Sequence, residues 1–198
     1  MKLYMIRHGE TDWNVAGRMQ GSKDIELNEN GIAQAQQLYG KVKKEGYQPV
    51  KVYTSPQKRA FKTGQILADA MNIECVKMPG LEEANFGDWE GKTWEQVKTE
   101  YPEAFEKWEK NRRYVRTPNG ECYQDVVERV VKAIDHIMET EKEDVAVVTH
   151  GAVIMSLMCF ITDTPFEKMW SFKPENTGIT VIDTEDIKKA VSASAILL

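Results

Sequence analysis

Long apolar runs, linkers, paired cysteines and excess positive charge are all missing from this chain of 198 residues. Its longest apolar stretch, Ala152 to Ile161 interrupted by Ser156, falls far short of the roughly 20 residues that cross a bilayer and reads as a core helix. At the N-terminus a single Lys2 precedes only four apolar residues, too few for the hydrophobic region of a signal peptide. No membrane partner is expected. Cys75, Cys122 and Cys159 are odd in number and scattered, with neither CxxC nor metal-ligand spacing, so the expected setting is a reducing cytoplasm. No Pro/Gly/Ser-rich linker, low-complexity tract or internal repeat divides the sequence, and one domain over 1–198 is expected. With 26 basic against 31 acidic residues the formal charge is -5, so no general basic field exists to gather nucleic acid. A local basic pocket is still open to it.

Histidine is also scarce, which makes the placement of each one informative. His8 follows the apolar run Leu3-Tyr4-Met5-Ile6 within Arg7-His8-Gly9-Glu10-Thr11, and His150 follows Val145-Ala146-Val147-Val148 within Thr149-His150-Gly151. Two short runs of strand formers therefore each end in a His-Gly pair. Open α/β sheets place their sites at such carboxyl ends. The third, His136, lies with Arg129 and Lys132 at helical spacing opposite Val127, Val130, Val131, Ile134 and Ile137, and is expected on a solvated face.

The rest of the chain alternates strand and helix. Asn28 caps a helix to about Lys44 with Gly46 beyond its end, Val50 to Thr54 is a strand, and Ser55-Pro56 reads as the cap and N1 proline of the next helix. Glu74 to Met78 reads as a short edge strand. From Leu81 to about Gly120, Trp89, Trp94, Tyr101, Phe105, Trp108 and Tyr114 are interleaved with charges and no strong strand signal occurs, which suggests an insertion, about 84–122, packed over the sheet. The alternation resumes with a helix over Tyr123 to Thr140, a strand over Val145 to Thr149, a helix after Gly151 and a strand over Ile179 to Asp183. Residues 184–198 receive no assignment, although Ala190 to Leu198 is apolar enough to dock. Such alternation implies a three-layer α/β/α fold around a mostly parallel sheet.

If the three strands that end at His8, at Ser55-Pro56-Gln57-Lys58-Arg59 and at His150 are neighbours, then Arg7, Arg59 and two imidazoles converge beside a helix N-terminus. That combination suits a phosphoryl group.

These residues also carry a family resemblance. Arg7-His8-Gly9-Glu10-Thr11, Trp13-Asn14, Gln20-Gly21, Asp24 and Leu27, Ser55-Pro56 with Arg59-Ala60 and Thr63, Leu81 with Glu83, Phe86-Gly87, Trp89-Glu90-Gly91 and His150-Gly151 resemble, in order and spacing, the histidine phosphatase (phosphoglycerate mutase-like) superfamily. The resemblance implies that His8 is the nucleophile and becomes phosphorylated, with Arg7, Arg59 and His150 lining the phosphate pocket. Neighbouring cations would keep the His8 ring neutral, while arginine forks and a protonated His150 would neutralise the phosphoryl oxygens. No metal or other cofactor is then needed. Glu83 matches the family's general acid, with the adjacent Glu82 as its competitor. Asn14 matches a phosphate contact, and Gln20 and Gly21 match a substrate loop. Glu10 is expected to support the loop.

Mutases and phosphatases share these motifs. The mutases usually have Tyr where Phe86 stands, Asn where Ala152 stands and Lys near Trp94, and this chain has none of the three. Pro118-Asn119-Gly120-Glu121-Cys122 with Asp125 and Arg129 resembles the Pro-x-Gly-Glu-Ser segment of the small bacterial phosphatases, with Cys122 in place of Ser. The resemblance therefore implies a metal-independent phosphomonoesterase acting on a small phosphorylated metabolite. A mutase and an inactive phospholigand-binding protein are the alternatives. Lys110, Arg112, Arg113 and Arg116 form either a solvated face or a subsite in which Arg112 and Arg113 meet a second anion of the substrate. A homodimer is compatible with the sequence.

Overall fold

The computed structural model describes residues 1–194, so the last four residues of the apolar C-terminus lie outside the described residues. Strand β1 (Lys2–Arg7) leads to a short helix α1 (Asp12–Val15) and to α2 (Glu29–Lys44). Then follow β2 (Lys51–Thr54), α3 (Lys58–Met71) and β3 (Glu74–Lys77). A 3-10 turn at Gly87–Trp89 precedes α4 (Trp94–Glu100) and α5 (Pro102–Lys110). The chain continues through α6 (Tyr123–Thr140), β4 (Val145–Thr149) and α7 (Gly151–Ile161). It closes with a 3-10 segment Phe166–Phe172, β5 (Ile179–Asp183) and α8 (Thr184–Ser192).

The strands form one sheet in the order β3-β2-β4-β1-β5. The β1–β4, β2–β4 and β2–β3 pairs are parallel, and only β5 is antiparallel, against β1. Because side chains alternate along a strand, the sheet feeds two cores. Leu3 and Met5 of β1 and Val145 and Val147 of β4 join α6, α7 and α8 on one face. Ile6, Ala146 and Val148 join α2 and α3 on the other. Helix α7 is apolar nearly all round and buried to match. Among the described residues no helix is long and apolar enough to cross a membrane.

Sheet order makes β2, β4 and β1 consecutive, so the ends that carry Ser55, His150 and His8 lie side by side. The loop after β1 then folds tightly onto α2. A Cβ at Gly9 would meet the carbonyl oxygen of Gly31 at 2.5 Å, and one at Gly31 would overlap the carbonyl oxygen of Glu10. Only glycine permits this approach. Glu10 supports the loop as expected, but through side chains, accepting from the amides of Asn28 and Asn30.

One sequence expectation fails at the start of α3. Its N-cap is Gln57 and not Ser55, and Pro56 precedes the helix instead of opening it. The Ser55 hydroxyl accepts from the Gln57 N–H at 3.3 Å, ahead of the helix, and lies 2.8 Å from His150 Nε2.

Candidate active site

Beyond the carboxyl ends of β1 and β4 lies a cavity of about 240 Å³ whose wall includes Arg7, His8, Asn14, Gln20, Glu83 and the start of α7 at Gly151 and Ala152. His8 is delivered by β1, and its backbone N–H donates to the Thr149 carbonyl at 3.0 Å, one step past the parallel ladder. From the opposite side Asn176 Nδ2 donates to the His8 carbonyl at 2.9 Å. The ring itself is held by Nδ1, which donates to the Gly9 carbonyl at 2.6 Å. A carbonyl can only accept, so Nδ1 carries the hydrogen and Nε2 keeps its lone pair. Burial, then Arg59 and Arg7, drive the His8 pKa well below 6.5. The ring is neutral at neutral pH.

His150 sits beside it, ring centroids 5.2 Å apart, and is fully buried. The sequence reading has a protonated His150 facing the phosphoryl oxygens, and the surroundings of the ring work against that charge. Burial, Arg59 and His8 hold its pKa well below 6.5, so the ring is neutral and offers one N–H. The Ser55 hydroxyl already accepts from the Gln57 N–H at 3.3 Å, which leaves its own hydrogen to point at Nε2 2.8 Å away; the ring hydrogen is then on Nδ1, which has no partner among the described residues.

Arg7 reaches back to the Pro174 carbonyl through Nη1 at 2.9 Å. Arg59 is completely buried behind the cavity wall, its guanidinium donating to the carbonyls of Lys23 and Gly21 at 2.7 and 3.0 Å. Burial lowers the Arg59 pKa to about 10, which leaves it cationic. Gly21 is thus not a cavity residue. Its carbonyl fixes Arg59 and the Gln57 amide, and its φ of 51° requires glycine or a strained substitute.

Asn14 faces the cavity while its Oδ1 accepts from the Thr11 N–H and hydroxyl, closing the cap of α1. Gln20 is buried with Oε1 unpaired. Of the eight buried side-chain N and O atoms without a partner among the described residues, four belong to Arg7, Gln20, Arg59 and His150. An unpaired buried polar group costs roughly 1–3 kcal/mol. The Arg7 and Arg59 Nε–H groups are donors that an anion beside His8 would satisfy, whereas Gln20 Oε1 is an acceptor and calls for a donor on the ligand.

The two adjacent carboxylates separate cleanly. Glu82 turns away and accepts from the Gly80 N–H at 2.7 Å, whereas Glu83 lies on the cavity wall. Its carboxylate accepts from Ala84 N at 2.9 Å and Ala152 N at 3.3 Å. Burial outweighs both contacts and raises its pKa.

Two residues that sequence reasoning missed hold this geometry. Gln57 Oε1 accepts from the Glu83 N–H at 2.8 Å while Nε2 donates to Gly21, so one amide ties the Glu83 strap to the Arg59 loop. Arg129, expected on a solvated helix face, instead donates to the carbonyls of Gly80, Glu82 and Glu83 and to both carboxylate oxygens of Glu121. Its correct signal was the pairing with Glu121 in the segment before α6.

The basic run is placed differently from its subsite reading. Arg112 is buried with its guanidinium 4.6 Å from the centre of the Trp108 ring. Arg113 donates to Gln124 Oε1 at 2.9 Å and lies over the Tyr114 and Phe166 rings. Neither is on the cavity wall: Arg112 lies against Trp108 of α5, and Arg113 against Tyr114 beyond α5 and Phe166 of the 3-10 segment. Instead Phe86, Trp94, Tyr123, Met155 and Trp170 complete the wall. Among the described residues no group of three or more His, Cys, Asp or Glu is gathered to hold a metal ion.

The histidine phosphatase superfamily (branch 1) matches residues 3–196. Phosphoserine phosphatase 1 of Hydrogenobacter thermophilus is 31% identical over 192 residues, covering 96% of this chain and 90% of its own. A metal-independent phosphoserine phosphatase of Arabidopsis thaliana is 33% identical, covering 94% and 78% respectively. Among solved structures, Bacillus stearothermophilus YhfR superposes with a TM-score of 0.82 at 36% identity, covering 92% of this chain and 90% of that one.

Proposed function

The chain belongs to the histidine phosphatase superfamily, branch 1, and from that premise we propose that it is a metal-independent phosphomonoesterase for a small phosphorylated metabolite. It works as one catalytic domain in which the segment 84–122 caps the site. The observation that carries this reading is the tautomer of His8: a buried neutral imidazole with Nδ1–H fixed on Gly9 and the Nε2 lone pair available.

In the first step Nε2 attacks phosphorus in line with the ester oxygen. The N–P bond forms as the P–O bond breaks, and Glu83 gives its proton to the departing alkoxide. Charge spreading over the phosphoryl oxygens is met by the Arg7 and Arg59 Nε–H groups, by His150 Nδ1–H and by the amide groups that open α7. In the second step the ionised Glu83 takes a proton from water as the water oxygen attacks the phosphohistidine, which returns neutral His8 and inorganic phosphate. The cations do the charge neutralisation for which other phosphatases use a divalent ion. Relatives named phosphoserine phosphatases support hydrolysis over return of the phosphoryl group to substrate.

The test is a panel of phosphomonoesters assayed for inorganic phosphate with EDTA present and His8→Ala as control. Chelator-resistant release abolished by His8→Ala is the expected result. Release that needs added magnesium or zinc, or that survives His8→Ala, would overturn the proposal.

A further inference from the structure

Beyond the reacting groups, the wall of the cavity is aromatic where sequence reasoning placed a second cationic subsite. Trp94 and Trp170 meet there at 5.8 Å with their planes at 89°, forming a corner. The corner is held rigid from behind. Trp94 stacks on Trp108 at 5.3 Å and 24°, and Trp108 meets Trp89 edge-on at 5.4 Å. Phe86 closes against the edge of Trp94 at 6.3 Å. Trp170 is 43% exposed, so among the described residues an apolar surface at the mouth of the cavity is left uncovered, an arrangement that marks binding surfaces.

The charges point the same way. Arg113 is committed to Gln124 and the Tyr114 and Phe166 rings, and Arg112 lies over Trp108, off the cavity wall, with its Nε and Nη1 unpartnered among the described residues. On the cavity wall the cations other than Arg7 are Arg18 and Lys173, both exposed, and Arg18 is engaged with the Gly91 carbonyl at 2.5 Å. Exposed cations are screened and mobile and bind a carboxylate weakly. A flat ring, by contrast, finds one indole face to stack on and a perpendicular indole to meet edge-on.

Building on the phosphomonoesterase reading, we infer that the alcohol portion of the substrate carries an aromatic or similarly flat apolar group that docks in the Trp94–Trp170 corner. The site thus selects aromatic phosphomonoesters over small esters bearing a carboxylate. The phosphoryl group is held as described above, and the leaving oxygen lies between His8 and Glu83.

Non-hydrolysable phosphonates separate binding from turnover. Benzylphosphonate, methylphosphonate and 2-amino-4-phosphonobutanoate, the last mimicking phosphoserine, are titrated calorimetrically into the full chain and into Trp170→Ala, whose exposed side chain makes it a safe truncation. Benzylphosphonate should bind at least about tenfold more tightly than either of the others. Trp170→Ala should weaken benzylphosphonate at least about fivefold more than methylphosphonate. Smaller ratios, tighter binding of the serine mimic, or equal losses in the variant would overturn the inference. Turnover of benzyl phosphate, with and without His8, is read separately. Selective binding without turnover would refute the phosphatase reading and leave the aromatic site standing.

Discussion

Arg129 Nη2 donates to the main-chain carbonyl of Glu83 at 3.0 Å. The same guanidinium also holds the carbonyls of Gly80 and Glu82 at 2.9 and 2.7 Å, while Glu121 anchors it and accepts from the Asn85 N–H at 2.8 Å. One cation from α6 therefore fixes both sides of the strap that presents the candidate acid. Arg129 itself is off the cavity wall, so it reaches the chemistry through the position of Glu83 and, more weakly, as a charge felt by His150.

Arg129→Gln should accordingly slow hydrolysis of alkyl phosphates, whose leaving groups need a proton, by about 10-fold or more, within the roughly 10²- to 10⁴-fold worth of a general acid. An activated aryl phosphate should change by less than about threefold, since its leaving group needs little help from an acid. In a Glu83→Gln background the same substitution should add nothing. Equal losses on both esters, or additive losses in the double variant, would show that Arg129 serves folding alone. Thermal melts of each variant keep the two effects apart.

The pH profile of kcat/KM follows from the opposed shifts at His8 and Glu83. His8 acts neutral and its pKa is pushed well below 6.5 by burial and by Arg59 and Arg7, so the acid limb should fall below pH 6.5. Glu83 acts protonated, and burial raises its pKa above 4.5. The alkaline limb should belong to Glu83 and vanish in Glu83→Gln. An alkaline limb retained in that variant would remove Glu83 from the acid role.

The same histidines link stability to pH. In the unfolded chain they take up protons as pH falls through 6.5, whereas in the fold both resist protonation. Stability is therefore full above 6.5 and is lost progressively as pH falls from 6.5 toward the depressed folded values. Each histidine contributes a slope of about 1.4 kcal/mol per pH unit in that window. Urea titrations of His150→Gln between pH 6.5 and 5 should show a slope shallower by about that amount. An unchanged slope would mean that His150 is protonated in the fold.

Arg113 is committed to Gln124 and two rings. Arg113→Ala should leave KM for phosphoserine within about twofold, where loss of a charge-assisted contact to substrate would raise it roughly 10-fold or more. Steady-state kinetics of the variant decide between the two.

Much of this architecture was legible because the signals were local. Asn28 caps α2, Tyr123 begins α6 and Thr140 ends it, the run from Val145 to Thr149 is a strand as expected, and the run Leu3 to Ile6 is a strand that extends one residue further at each end. His8, Arg7 and Glu83 could be found because strand ends and motif spacing place them. What could not be read depends on partners distant in sequence. Arg129 has the periodicity of a surface residue until Gly80 to Glu83 and Glu121 come to meet it. Ser55 has the composition of a helix cap until β4 brings His150 beside it. Burial works against the charge expected at His150, and Arg113 meets Gln124 and the Phe166 ring, partners that its own segment does not announce.

The central claim is that His8 carries the phosphoryl group, and rapid quench of turnover into alkali, where a phosphorus–nitrogen bond survives, tests it most directly. Tryptic cleavage after Arg7 and Arg18 isolates residues 8–18, a peptide with one histidine and no serine. The account predicts an acid-labile, alkali-stable phosphate on that peptide, formed at the rate of turnover and absent from His8→Ala. Phosphate recovered instead on the peptide containing Ser55, or turnover with no labelled peptide in quenches that reach the first cycle, would contradict it.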